Sequence, residues 1–451
     1  MPESAERRLF YCTGIPAAVM VLASIAGGAV TMTIPSTMPT AQTYLQIAEQ
    51  TQASLQRDVL DKWFPAAVDQ SHGGFNENFA EDWSPLAGTD RSIVYQSRLT
   101  WLAAQAASVF PDRADEYLAI NRHGLKFLAE QQWDNQYGGL FWSANHPEKP
   151  KHAYGLAFAI YAAAASFQAT HDPAALGLAN KTFAWLDQHA HDTANGGYFE
   201  ALNRDGSPVL SGDGTDSIGT RIGLKSMNTH IHLLEAFTQL YSVHPDKTVE
   251  QRLREVFDIC LNKVYTAPGF LTMYFAPDWR RVGERDSFGH DIETAYLLIE
   301  AAEMLNHGHA EDHVWDVSRR LVNHALQNGF DRKNGGFYNE GSLVGGDLNT
   351  EKVWWTQAEG LNALLLMHEK FGSQTVVYWD AFLAEWNFIR RHQIDPVHGG
   401  WLSHVNADGS AIPGLVKSDM WTEGYHQGRA LMNVTARLAG IPFVPATTGG
   451  L

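Results

Sequence analysis

Asp192 to Phe199 reads DTANGGYF. Paired glycines enter the left-handed backbone region without steric cost, so they turn the chain sharply where a helix ends. The aromatic residues that follow begin a short extended return. The device recurs as Gly73-Gly74-Phe75, Gly138-Gly139-Leu140-Phe141, Gly335-Gly336-Phe337-Tyr338 and Gly399-Gly400-Trp401, with Pro268-Gly269-Phe270 as a weaker copy. Asp69, Asp134, Asp192, Asp331 and Asp395 each precede a full copy by a few residues. The period is roughly 60–70 residues, enough for two helices and their connections. Apolar residues at helical spacing fill the intervals. Six helical hairpins can close into a ring of six inner and six outer helices. The reading is therefore all-α: a single (α/α)6 barrel over residues 39–445, with short glycine-turn hairpins at one end. No Pro/Ser/Gly-rich linker divides it. An open helical solenoid is the alternative, but a solenoid does not need polar clusters converging from distant repeats.

Working outward, the net charge of −17 argues against nucleic acid and against anionic membrane surfaces as partners. Two cysteines, Cys12 and Cys260, cannot build a disulfide scaffold, and no spacing for a zinc or iron–sulfur site appears. The chain has 14 Trp and 20 His. That surplus suits a carbohydrate site, because C–H faces of sugars pack on aromatic rings; a large helical core is the plainer explanation. Residues 1–38 differ from the rest. Arg7 and Arg8 precede an uncharged run from Leu9 to Val30, near whose end stand the small residues Ala26, Gly27, Gly28 and Ala29. This reads as a signal peptide, an N-terminal anchor or a mis-called start. Export to the periplasm or anchoring is the favoured expectation, and a cytoplasmic location follows if translation begins later. Nothing after residue 40 looks membrane-spanning.

Five stretches could carry chemistry. In KSMNTHIHLLEAFTQLY, Lys225 to Tyr241, a buried stripe of Leu233, Leu234, Phe237 and Leu240 marks a helix. Asn228, His232 and Glu235 stack on another face of it. Arg98 lies among apolar neighbours in a helix that Asp90 can cap, and a buried arginine needs an anionic partner. In SFGHDIETAY, His290 and Glu293 share a face at i, i+3, so the carboxylate can orient the imidazole. Trp354, Trp355 and Glu359 begin another helix; adjacent tryptophans diverge, so one of them faces a cavity. Thr422 can cap a last helix carrying Glu423 and His426, with Trp421 just outside its start. Salt bridges, caps and exposed polar faces explain each cluster singly. Taken together, they sit near helix starts, one group per repeat, and a closed ring gathers alternate helix starts at one end.

These segments resemble the N-acylglucosamine 2-epimerase superfamily, and within it the cellobiose 2-epimerase branch. The resemblance runs from about residue 45 to about 437. It rests on QSRLTW at 96–101, KHAYGLAFAIY at 151–161, NTHIHLLEAF at 228–237, FGHDIE at 288–293, WWTQAE at 354–359 and WTEGYH at 421–426. It implies an (α/α)6 barrel without cofactor or metal. It implies that Arg98 is the active-site arginine and that His290 and His426 are the general acid/base pair. Asn228 and His232 would bind the sugar and assist ring opening. Glu293 and Glu359 would hold the histidines, Trp355 and Trp421 would form aromatic platforms, and Tyr154 would line the pocket.

The residue types suit that chemistry on their own. Inverting C2 of a reducing sugar needs ring opening, proton removal beside the C1 carbonyl, and proton return to the other face. Imidazole offers acid and base forms near neutrality. A guanidinium stabilises the enediolate oxygen without acting as a base. The expected function is 2-epimerisation at the reducing end of a β-1,4-linked disaccharide such as cellobiose. N-acetylglucosamine 2-epimerisation and ketose–aldose isomerisation of mannose are the near alternatives. A glycoside hydrolase, which needs two opposed carboxylates, and a sugar-binding protein are the distant ones. The partner is a small sugar, and the protein is a monomer or homodimer. Activity should survive EDTA; loss with chelator and recovery with a divalent ion would overturn the metal-free reading.

Overall fold

A computed structural model describes residues 39–88, 90–342 and 347–440. The expected N-terminal segment over 1–38 lies outside the described residues. Helices α1 (Ala41–Ser54) and α2 (Asp61–Ala67) are joined by a π-helical segment, Leu55–Leu60. Then follow α3 (Ile93–Val109), α4 (Ala114–Phe127), α5 (Ala153–Thr170), α6 (Pro173–Ala190) and α7 (Met227–Val243). The remainder are α8 (Lys247–Ile259), α9 (Phe288–Leu305), α10 (Asp312–Asn328), α11 (Trp354–Phe371), α12 (Val377–Phe388) and α13 (Tyr425–Leu438).

Six of these form the inner ring: α3, α5, α7, α9, α11 and α13 each pack on the next, and α13 returns to α3. The others pack outside, with α1 against α13 completing the sixth hairpin. The molecule is the closed (α/α)6 barrel expected, not an open solenoid. Burial separates the two rings. On α8 only Val249, Leu253, Val256 and Ile259 are buried, a single stripe at helical spacing. On α5 every residue from Ala153 to Ser166 is buried. Such a helix has no solvent face, so polar groups on it must meet each other or a cavity.

The glycine turns join each outer helix to a short extended return. At Gly196 and Gly197 φ is 77° and 74°, the region where a Cβ is strained. Asp192 closes this turn: its amide donates to Gly197 O at 2.8 Å, and its Oδ1 accepts from the amides of Ala194 and Asn195. Its other oxygen, Oδ2, takes a buried ammonium. Lys225 Nζ donates to Asp192 Oδ2 at 2.7 Å, to Gly196 O at 2.7 Å and to Pro277 O at 3.0 Å. The contact repeats as Lys151–Asp134 at 3.1 Å, Lys352–Asp331 at 2.9 Å and Lys417–Asp395 at 2.6 Å. Arg91 replaces lysine against Asp69 at 2.6 Å. The Pro268-Gly269 copy has no such aspartate, and the basic residue is replaced as well: Asp286 stands there and pairs with His324 at 2.6 Å.

Two expected caps are corrected. Helix α3 is capped by Ser92, whose Oγ accepts from Tyr95 N, rather than by Asp90. Helix α13 begins at Tyr425 after Gly424, and Thr422 does not cap it. Asp419 Oδ1 accepts from the amides of Trp421 and Thr422, both at 2.8 Å, a turn that keeps Thr422 ahead of the helix.

Removing one partner of a buried ion pair leaves an uncompensated charge, which costs about 3–5 kcal/mol. Asp331→Ala, which strands the fully buried Lys352, should lose about that much stability in denaturant unfolding. The double variant Asp331→Leu/Lys352→Met should recover most of it. A single-variant loss under about 1 kcal/mol would show that the contact is not structural.

Candidate active site

The basic residue that meets each turn aspartate also sets the register of the inner helix that follows. Three and seven residues further on, one and two helical turns along, stand the site residues. Arg91 leads to Arg98, Lys151 to Tyr154, Lys225 to Asn228 and His232, and Lys352 to Trp355 and Glu359. Asp286, in the equivalent position, leads to Glu293. The last repeat departs because α13 starts late, and Trp421 and His426 follow Lys417 at longer intervals.

Where the inner helices begin, a cavity of about 230 Å³ is lined by Arg98, Tyr154, Asn228, His232, His290, Glu293, Trp354, Trp355, Trp421 and His426. Ten of the residues singled out from the sequence therefore meet in one place, with contributions from every repeat. Glu359 and Glu235 do not line it; they stand behind His426 and His232. Ile218, from the loop between α6 and α7, completes the lining and carried no signal in the sequence. Both Trp354 and Trp355 line the cavity, where only one was expected to. Trp355 packs against His290 with ring centroids 4.7 Å apart, and Trp421 lies 6.2 Å from Tyr154.

Arg98 is buried and donates from Nη1 to Glu423 Oε1 at 2.8 Å and from Nη2 to Tyr154 OH at 2.9 Å. Its guanidinium carbon lies 4.2 Å from the Phe158 ring centroid. Burial alone would lower its pKa, but Tyr154 and Glu423 outweigh that and hold the cation. Asn228 Oδ1 is buried without a protein partner, an acceptor available to a ligand.

The three imidazoles are held differently. His232 Nδ1 meets Glu235 Oε2 at 3.0 Å, and His426 Nδ1 meets Glu359 Oε1 at 2.7 Å. His290 Nδ1 meets Ser287 Oγ at 2.7 Å. In all three Nδ1 is engaged, which leaves Nε2 for a ligand. A carboxylate partner favours the Nδ1–H form and an Nε2 lone pair. A hydroxyl can donate or accept, so Ser287 leaves His290 either tautomer. Burial lowers His290 to about 4. Burial, Arg98 and Arg429 hold His426 well below the usual imidazole value. Burial also pushes Glu359 up to about 8.

One expectation is corrected here. Glu293 does not hold His290, although the two share a helix face. It accepts from Arg429 Nη2 at 2.5 Å and lies 3.8 Å from His426 Nδ1. The stronger partner across the barrel wins over the neighbour one turn away. Arg429, Tyr425, Glu423 and Ser287 all support the site, and none was singled out for it from the sequence. The only available signal was position: Arg429 follows His426 by three residues, on the same helix face.

Among the described residues, three groups bring His and carboxylate atoms within 4.8 Å of one another: His152, Glu200 and Asp216; Asp286, Asp291 and His324; and Glu293, Glu359 and His426. Such groupings could hold a metal, and no sequence spacing pointed to them. In the third, the Arg429 guanidinium already supplies the cation between the carboxylates.

Fold and site together define a class: a closed (α/α)6 barrel whose inner helices deliver imidazoles and a guanidinium to one aromatic-walled pocket. The chain belongs to the N-acylglucosamine 2-epimerase family, whose model matches residues 73–428. A cellobiose 2-epimerase from Bacteroides fragilis is 29% identical over 388 residues, covering 85% of this chain and 97% of that protein. A D-mannose isomerase from Marinomonas mediterranea is 24% identical, covering 75% and 85%. Among solved structures, the cellobiose 2-epimerase of Spirochaeta thermophila superposes with a TM-score of 0.79 at 31% identity, covering 89% of this chain and 98% of that one.

Stacking on an aromatic wall contributes on the order of 1 kcal/mol and is similar in ground and transition states. Trp355→Ala should therefore raise KM for a disaccharide several-fold while lowering kcat less. An unchanged KM would remove Trp355 from the sugar path.

Proposed function

We propose that this chain is a carbohydrate 2-epimerase that interconverts the glucose and mannose configurations at the reducing end of a β-1,4-linked disaccharide such as cellobiose. The observation that carries this reading is the convergence of His232, His290 and His426 with Arg98 on one pocket. The domain that does so spans residues 39–445. The sequence relationship to cellobiose 2-epimerases supports the substrate class.

In the proposed mechanism, Asn228 and His232 bind the sugar and assist ring opening. One of His290 and His426 removes the C2 proton through Nε2, and the other delivers a proton to the opposite face. Ser287 lets His290 change tautomer between the steps, and Glu359 holds His426. Arg98, kept cationic by Glu423, stabilises the enediolate oxygen. A hydrolase would need an acid and a base carboxylate across the cleft. Among the described residues, Glu293 is the only carboxylate that lines this cavity, and Arg429 engages it.

Incubation with cellobiose in deuterated water, followed by NMR and mass spectrometry, tests the proposal. Two bases on opposite faces should leave close to one deuterium at C2 per turnover in an epimer of the substrate. A ketose product would favour mannose-type isomerisation, and added water would mean hydrolysis. Epimer lacking solvent deuterium would rule out the two-histidine route. His290→Ala and His426→Ala should each retain less than about a tenth of the activity while staying folded.

A further inference from the structure

Between the pairs His232–Glu235 and His426–Glu359 lies Arg429, buried on α13 with a solvent exposure of 3%. Its Nη1 bonds Glu235 Oε1 and the Tyr425 hydroxyl; its Nη2 bonds Glu293 Oε1 at 2.5 Å and Glu359 Oε1 at 2.7 Å. Glu235 holds His232 through its other oxygen, and Glu359 holds His426. The result is one continuous chain across the barrel: His232, Glu235, Arg429, Glu359, His426. It joins α7, α11 and α13, with Glu293 of α9 attached to it. His290 stands apart on Ser287.

We infer that Arg429 is a positioning residue that couples His232 and His426 into one unit, while His290 works independently. Arg429 lines no part of the cavity and cannot move a proton itself, so it acts through the two glutamates. Its planar fork engages carboxylates from three other helices in a fixed geometry that a freely rotating ammonium does not impose. Each glutamate aligns an imidazole whose Nε2 faces the ligand, so the fork sets the angle between two reacting groups on different helices. Its charge also lowers the proton affinity of His426. The groups facing it are Glu235 from α7, Glu293 and Tyr296 from α9, Glu359 from α11, and Tyr425 and His426 from α13. Tyr161 of α5 and Glu300 of α9 lie further out in the same field. Removing the cation leaves Glu235, Glu293 and Glu359 uncompensated, which favours protonated histidine at both ends.

This inference rests on the proposed function for its meaning but not for its test. Histidine rings labelled at carbon can be titrated by NMR in the whole protein without substrate, with resonances assigned by His232→Asn, His290→Asn and His426→Asn. In Arg429→Met the titrations of His232 and His426 should both move up by about one unit or more, and that of His290 by less than either. In Arg429→Lys the charge remains: both titrations should stay within about half a unit. If the wild type epimerises, kcat of this lysine variant should fall about tenfold or more because the fork is lost. Unmoved titrations in Arg429→Met, or kcat unchanged in Arg429→Lys, would overturn the coupling. If Arg429→Met does not fold, Glu235→Gln carries the test. Neutralising that carboxylate, which touches Arg429 and not His426, should move the His426 titration down; an unmoved His426 would overturn the proposal. A wild-type protein inactive on every reducing sugar would count against the functional reading and leave the titrations standing.

Discussion

A buried cation against the aspartate of a glycine turn is the contact on which this barrel depends. A lysine ammonium inside a protein must find oxygen on all sides, because desolvation is costly and an unmet charge more so. Each turn supplies that set: one carboxylate oxygen, the carbonyl of the first glycine of the pair, and for Lys151, Lys225 and Lys352 a carbonyl from a further loop. The lysine comes from the residues just before the next inner helix. The end of one hairpin is thereby pinned to the start of the next, at the same end of the barrel, in four repeats by lysine and in one by Arg91. Burial favours the uncharged lysine and depresses Lys225, while Lys225 and Asn195 hold Asp192 at about 2.

The pocket follows from that register. With the basic residue held at the rim, side chains three and seven positions on fall one and two turns deeper, where six helices face one another. In the repeats of Asn228/His232 and Trp355/Glu359, the shallower residue lines the cavity, and the deeper one lines it as well or props a residue that does. His230 shows why position decides the role: it is an imidazole on the same helix as His232. Its Nδ1 meets Ser226 O at 2.7 Å, its Nε2 accepts from Tyr198 N, and burial lowers it to about 3. Gln96 and Gln357 do the equivalent job for Phe75 and Phe337. His230 belongs to the turn and His232 to the cavity, although only Ile231 separates them.

The barrel by itself does not specify a reaction, since one architecture hosts unrelated chemistries. What distinguishes this interior is a surplus of imidazole over free carboxylate. The acidic residues within it are engaged: Glu423 by Arg98, and Glu235, Glu293 and Glu359 by Arg429. Their work is to hold cations and orient rings, which leaves Nε2 atoms as the exposed acid–base groups. Such an interior suits proton transfer at carbon better than cleavage of a glycosidic bond.

Much of this was legible in the chain. The glycine turns, their period and their aspartates determined the repeat number, and the polar clusters on distant repeats favoured a closed ring over an open solenoid. The polar clusters near helix starts determined which residues meet, since inner helix starts must gather at one end. Tertiary structure alone decided the pairing. Glu293 sits one turn from His290 yet serves Arg429, and Thr422 precedes α13 yet does not cap it. Lys151, Lys225, Lys352 and Lys417 read as ordinary lysines until their aspartates, 17 to 33 residues earlier, come within reach. Arg429 bonds carboxylates 70 to 194 residues away. Local spacing reports which groups share a helix face; it carries no information on which partner across a closed ring offers the stronger bond.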